Sequence, residues 1–290
     1  MKITNSFNLP ETIVRAVQND DYDRGEADVS VTQLITPPRI SILQDLNADK
    51  ITVDVVDRFP SLLGRALHKI VEIGDKDIPN HIIEERLFAE VNGWVVSGAI
   101  DLQIKHEDDF WEINDYKVTS VYSVMDDKIE WEQQLNLYAA LMYLAHGRRV
   151  KSLKIIALLK DWSRKKSQMQ NDYPPTPIVI VDINLWPTLQ QLDFLTHRVM
   201  LHQDARQGVD KGISPPYCTD QERWFRGEEW ALKKEGRKAA LKLYGKEHEA
   251  TAARESLGDG HYIEHRPGNP VRCDGNYCLV RDWCKQYRGE

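Results

Sequence analysis

Two runs rich in β-branched and aromatic residues, Trp94 to Ile104 and Phe110 to Lys117, are separated by the charged turn His106-Glu107-Asp108-Asp109. That pattern commits this part of the chain to a β-hairpin, and the hairpin in turn commits the ionisable groups it carries. Asp101 lies in the first run, and the second ends in Asp115-Tyr116-Lys117. Residues two apart in a strand share a face, so Asp115 and Lys117 point together while Tyr116 points away, and Glu112 has the opposite parity from Asp115. A register that sets Asp101 beside that end brings two carboxylates and one ammonium to a point. Hard divalent cations such as Mg²⁺ take oxygen ligands and keep several waters, and an adjacent ammonium then faces a water or a phosphate oxygen. Such a constellation suits hydrolysis of a phosphodiester.

The flanking segments supply more of the pattern. Pro60 and Ser61 start, and Gly74 stops, a helix over Phe59 to Gly74. Its expected buried stripe is Leu62, Leu63, Ala66, Leu67, Ile70 and Val71. Gly64 and His68, four apart, stack at the edge of that stripe, and the glycine leaves room beside the imidazole. Glu84 to Val91 reads as the strand before the hairpin, with Glu84 and Glu85 as a solvated start. After the hairpin, Asp127 to Ala145 reads as a helix capped by Asp126 or Asp127. Its second half is apolar nearly all round, which calls for burial against the sheet. Gln134 and Tyr138 share one face of it. Gly147 ends the helix. Leu153 to Leu159 and Ile178 to Ile183 follow as strands, joined by the polar connection Ser163 to Pro177, which is expected to border the substrate channel. Pro187 opens a further amphipathic helix.

Gly64-x-x-x-His68, Asp101, Asp115-Tyr116-Lys117 and Gln134-x-x-x-Tyr138, in that order, resemble the PD-(D/E)XK nuclease superfamily, and within it the RecB-like branch. The resemblance implies an α/β, restriction-endonuclease-like core, a central mixed sheet flanked by helices. It implies that His68, Asp101, Asp115 and the main-chain carbonyl of Tyr116 bind Mg²⁺ or Mn²⁺, that Lys117 serves the attacking water or the phosphate, and that Gln134 and Tyr138 contact DNA or brace the site; members of this branch also often carry an acid near Glu84 and Glu85, the alternative to a solvated strand start. It further implies exonuclease action on DNA ends in recombination, repair or phage replication. The stretches ERWFRGEEWALKKEGRKAA and HYIEHRP look like those of bacteriophage and prophage proteins. The expected organisation is an N-terminal segment over 1–50, a nuclease core over 51–210 and a C-terminal extension over 211–290.

All four cysteines, Cys218, Cys273, Cys278 and Cys284, fall in the last quarter of the chain. Four thiolates complete a tetrahedral zinc site or hold an iron–sulfur cluster. The C-terminal trio resembles that of the AddB and CRISPR adaptation nucleases, which implies a 4Fe–4S cluster. Cys218 departs from their arrangement by following the core rather than preceding it, so zinc stays open as the alternative, as do unligated thiols.

The net charge of −7 over 290 residues excludes indiscriminate coating of nucleic acid, yet basic residues cluster. Arg148, Arg149, Lys151, Lys154, Lys160, Arg164, Lys165 and Lys166 stand against the single acid Asp161, and Lys233, Lys234, Arg237, Lys238, Lys242 and Lys246 are expected on a helix. No apolar run is long enough for a membrane span and no secretory signal opens the chain, so a cytoplasmic setting is expected, that of the host if the protein is phage-encoded. There is no helicase phosphate loop, so an unwinding or recombination partner would be a separate protein. A second class of function stays open at this point, a catalytically silent nucleic-acid-binding or interaction protein on the same fold with a structural zinc.

Overall fold

The structure is a computed structural model that describes residues 2–19, 25–125 and 128–290. The chain divides into two compact units, one of residues up to Ser41 with Ala48–Ser214, the other of Ile42–Asn47 with Pro215–Glu290.

In chain order the first elements are β1 (Lys2–Thr4), α1 (Glu11–Gln18), β2 (Val29–Ser30), α2 (Val31–Ile35), α3 (Pro38–Leu46) and β3 (Thr52–Asp54). The core follows as α4 (Phe59–Gly74), β4 (His81–Val91), β5 (Trp94–Lys105), β6 (Trp111–Thr119), α5 (Ile129–His146), β7 (Val150–Leu159), α6 (Arg164–Met169), β8 (Ile178–Ile183) and α7 (Thr188–Asp210). Its sheet has the order β2-β5-β6-β7-β8, with β4 also paired to β5. The β4–β5, β5–β6 and β7–β8 pairs are antiparallel; β2–β5 and β6–β7 are parallel. This mixed sheet flanked by helices is the restriction-endonuclease-like architecture expected from the sequence.

The hairpin forms as expected, with Asp109 at φ +60 in the turn and His106 N donating to Phe110 O at 2.9 Å. The parallel β6–β7 pair requires a crossover, and α5 supplies it. Gln134 through Met142 are buried without a break, because α5 lies between the sheet and the helices α2 and α7. It packs tightly on Gly98 of β5, where an added Cβ would sit 2.9 Å from both Leu141 Cδ1 and Tyr138 Cε1. Asn136, fully buried on this helix, is satisfied on all sides. Its amide donates to Glu132 O and Asn184 O, and its carbonyl accepts from Trp186 N and Gln191 Nε2. The expected cap residues Asp126 and Asp127 lie outside the described residues.

Helix α4 has the expected bounds but not the expected burial. Only Leu67 is buried along it, and Ile70 and Ala66 are exposed. The apolar stripe was read from periodicity, but this helix docks on β6 and α1 through a narrow contact rather than a whole face.

In the second unit, β10 (Glu229–Lys234) is the middle strand of an antiparallel sheet with β11 (Lys242–Tyr244) and β12 (His261–Arg266), once β9 (Phe225–Arg226) has paired with β13 (Asn269–Pro270). Helices α8 (Glu247–Leu257), α9 (Val271–Asp274) and α10 (Lys285–Arg288) complete it. The basic cluster expected on a helix here lies instead on β10, the following turn and β11. Ala231 and Leu232, side by side in the central strand β10, are both buried, as is Ala250 of the packing helix α8, and Gly236 at φ +75 turns the chain where a helix would have continued.

Candidate active site

The site forms where the sheet forks. Strands β5 and β6 pair from Lys105↔Trp111 to Leu102↔Asn114 and then part. Beyond that point the N–H of Tyr116 has lost its strand partner, and Asp101 Oδ2 accepts it at 2.8 Å. A side chain thus closes the ladder where the backbone no longer can, which draws Asp101 to the Asp115 end of β6.

On the other side of β5, the pairs Ile83↔Leu102 and Glu85↔Ile100 bracket Glu84 and Asp101, which stand opposite each other but form no ladder pair. Glu84 has φ +50, a left-handed conformation that costs a residue with a Cβ roughly 1–2 kcal/mol. Strain of this kind concentrates at functional sites. From α4, His68 Nδ1 reaches to 3.1 Å from Glu84 Oε1 and 3.5 Å from Asp101 Oδ1. The ligand atoms of His68, Glu84 and Asp101 all lie within 4.8 Å of one another. Gly64, one turn before His68, faces open space, as its spacing suggested.

Asp115 and Lys117 form the adjoining half. Lys117 Nζ is 2.7 Å from Asp115 Oδ2 and donates to Gln134 Oε1 at 3.2 Å. Gln134 Nε2 in turn donates to Asp115 Oδ1 at 3.3 Å and to the Tyr138 hydroxyl at 2.9 Å. The glutamine amide, held by Tyr138 one turn on, therefore locks both the acid and the amine of the Asp-x-Lys element. Glu112 faces elsewhere, bound by Lys154 Nζ and Ser152 Oγ, each at 2.8 Å.

Electrostatics show what this arrangement lacks. Burial, then the charge of Asp115, pushes the Asp101 carboxyl up to about 7 against the opposing pull of His68, Lys117 and the Tyr116 N–H. His68 is raised, chiefly by its hydrogen bond to Glu84 and also by the charges of Asp101, Glu84 and Asp115, although burial works the other way. A carboxylate that resists ionisation with its acceptor atoms turned on a shared point is short of positive charge. One imidazole with several carboxylate oxygens is a donor set that fits a hard divalent cation.

Every sequence-predicted site residue of the core therefore meets here: His68, Asp101, Asp115, Tyr116, Lys117, Gln134 and Tyr138. Glu84, read from the sequence as a solvated strand start, joins them. The resemblance to RecB-like nucleases offered an acid near this point, but the paired Glu84 and Glu85 at a strand start did not tell which of the two, if either, serves. What assigns Glu84 is its position opposite Asp101, which only strand register sets.

Comparison with protein families matches residues 57–285 to the PD-(D/E)XK nuclease superfamily. The chain belongs to this superfamily. Among solved structures it is similar to the protein SSO0001, with 17% identity and a TM-score of 0.46 over 71% of this chain and 95% of the other. It is also similar to a Eubacterium rectale protein provisionally described as an exonuclease, with 17% identity and a TM-score of 0.31 over 69% of this chain and 76% of that one. No curated protein matches it. Family membership makes it a nuclease, a hydrolase acting on nucleic acid, of a kind that uses divalent metals. Among the described residues no helix is long and apolar enough to cross a membrane.

The four cysteines fall in the second unit, Cys278 and Cys284 buried and Cys218 and Cys273 half-buried. Cys218 is pinned to the C-terminus by a reciprocal pair of 2.8 Å bonds, its N–H to Gln286 Oε1 and its carbonyl from Gln286 Nε2. Arg281 Nη1 donates to the carbonyl of Cys273 at 3.1 Å. Burial, then the charges of Glu222, Cys284 and Cys278, pushes the Cys218 thiol up to about 12. Cys273 and Cys278 are raised by burial as well, Cys273 also by Cys278 and Cys284. The thiols thus lie within electrostatic reach of one another. Among the described residues no three of their sulfurs fall within 4.8 Å of each other.

Proposed function

We propose that the protein is a Mg²⁺- or Mn²⁺-dependent deoxyribonuclease of the RecB-like branch, acting as an exonuclease on DNA ends. The observation that carries this reading is the convergence of His68, Glu84 and Asp101 within 4.8 Å beside the Asp115–Lys117 pair. His68, Glu84, Asp101, Asp115 and the carbonyl of Tyr116 would hold the metal. Bound there, it supplies Lewis-acid polarisation of the phosphate and a water acidic enough to attack.

The chain's own residues do the rest. Lys117, braced by Asp115 and Gln134 yet part-exposed, keeps an N–H for the attacking water or for a phosphate oxygen as charge builds. Gln134 and Tyr138 are positioning residues, holding that ammonium and the Asp115 carboxylate in one geometry. The branch assignment rests on the Gly64, His68, Gln134 and Tyr138 elements, and the exonuclease and phage readings on resemblance, with duplex opening left to a separate helicase.

For the cysteines we propose an iron–sulfur cluster. What supports this reading is the closely spaced C-terminal trio Cys273, Cys278 and Cys284, with Cys218 as the fourth thiol, and its resemblance to the trio of cluster-bearing relatives. Anaerobically purified protein is expected to absorb in the visible iron–sulfur range, and zinc alone on metal analysis would reverse the choice.

The test of function is cleavage of end-labelled single- and double-stranded DNA with and without manganese. Asp115→Asn and Lys117→Ala should each lower the rate by a factor of about 10² or more with folding intact. Full activity in either purified variant would end the proposal.

A further inference from the structure

The chain turns basic immediately past the strands that carry Asp115 and Lys117. Strands β6 and β7 stay in parallel register to their last residues, Lys117 beside Ala157 and Thr119 beside Leu159. The two exits are then stitched together. Lys160 N donates to Thr119 O at 2.9 Å, and Val121 N donates to Asp161 Oδ1 at 2.7 Å.

The loop that follows is held by its own aromatic residues. Trp162 Nε1 donates to Pro174 O at 2.9 Å, and the Tyr173 hydroxyl accepts from Ser163 N at 3.0 Å. Both rings pack against the hydrophobic core, which includes Ile155, Ala157 and Leu159 of β7, the residues in register with Asp115, Lys117 and Thr119. The loop is thus braced at the end of β7, next to the strand that carries Asp115 and Lys117.

From this anchored loop Lys160, Arg164, Lys165 and Lys166 stand exposed. None of the four has a carboxylate partner among the described residues, and Asp161, the acid between them, is engaged by the Val121 N–H. Lys166 Nζ lies 5.9 Å from the centre of the Tyr173 ring, and four cations without a carboxylate partner on a braced loop suit a polyanion. At about 3.3 Å per strand residue, Lys160 lies roughly 10 Å beyond Lys117 along the strand direction. That is about three base-pair steps of duplex rise at roughly 3.4 Å each along the helix axis.

We propose that Lys160, Arg164, Lys165 and Lys166 form the track on which the phosphate backbone of the substrate strand lies as it enters the site. The inference rests on the nuclease reading above and adds where the strand runs.

The experiment measures binding of fluorescein-labelled single-stranded and duplex 20-mers in EDTA across a salt series. It compares the full chain with a variant carrying Lys160→Gln, Arg164→Gln, Lys165→Gln and Lys166→Gln. Neutralising four phosphate contacts should flatten the log–log salt dependence by about 3 and weaken binding at least about tenfold at 0.1 M salt. In manganese, KM should rise with kcat little changed. A salt slope and affinity equal to those of the parent would overturn the track and leave the nuclease reading standing. A loss confined to anionic phosphatidylserine vesicles would overturn it in favour of a membrane surface. Failure of the parent chain to bind or cut any of the oligonucleotides would remove both.

Discussion

Glu84 is the residue at which strain and function meet. Its φ of +50 is left-handed, a region glycine enters freely and other residues do not. Replacing it separates the two roles. Glu84→Gly and Glu84→Ala should both weaken Mn²⁺ binding measured by calorimetry, because each removes the same carboxylate from His68 and Asp101. Urea unfolding should nevertheless find the glycine variant more stable than the alanine variant by about 1 kcal/mol. Equal stabilities would mean that the backbone there carries no strain. Neighbouring Glu85 has a different task. It accepts from Gln103 Nε2 at 2.8 Å and from Arg148 Nη1 at 2.5 Å, and Arg148 stacks over Trp111 at 4.6 Å. Two adjacent glutamates thus line the candidate metal site and a half-buried clamp, a division that composition and charge pattern do not reveal.

At the scale of elements, α5 and α7 do the positioning. Because α5 packs tightly on Gly98, Gly98→Ala must displace Tyr138 or Leu141. Overpacking of this kind costs about 1–3 kcal/mol, and moving Tyr138 also unseats Gln134. The variant should therefore lose cleavage activity while keeping its fold at room temperature, and full activity would mean the helix adapts without cost. Helix α7 closes the far end of α2, where Arg198 Nε donates to Leu34 O at 2.7 Å, Arg198 Nη2 to Thr36 O at 2.9 Å and His202 Nε2 to Thr36 O at 3.1 Å. Burial, then the charge of Arg198, pushes His202 down to about 4. The unfolded chain thus binds a proton that the folded chain refuses between about pH 6.5 and 4. The stability this histidine contributes is whole above that window and lost as pH falls through it, by up to about 3 kcal/mol. Urea unfolding across these pH values should show the slope, and His202→Gln, which can still donate to Thr36 O, should flatten it. An unchanged slope would place the acid sensitivity elsewhere.

At the scale of the whole molecule, the two units hold themselves together differently. The first has a continuous core that includes Ile100, Ile113, Leu137, Leu141 and Ile155 at full burial, whereas the second buries little beyond Ala231, Leu232, Ala250, Val280 and two cysteines. If the proposed cysteine-bound metal is present, a unit so poor in apolar burial would draw much of its stability from it. Chelation of the metal, or paired Cys278→Ser and Cys284→Ser substitutions, should raise amide hydrogen exchange across residues 215–290. Exchange in β5, β6 and α5 should stay slow. Unaltered protection of the second unit would show that its few apolar contacts suffice alone.

The sequence by itself determined the hairpin, the buried crossover helix and the order of elements, because each rests on short-range periodicity and turn chemistry. It also placed His68, Asp101, Asp115, Lys117, Gln134 and Tyr138 in one motif. The tertiary structure alone decided that Glu84 faces them, that α4 buries only Leu67, and that the basic residues from Lys233 to Lys242 lie on β10, its turn and β11. Each of those depends on which strand stands opposite which, and on what happens to cover a face. Register and docking are set by partners distant in the chain, and no local pattern of residues encodes them.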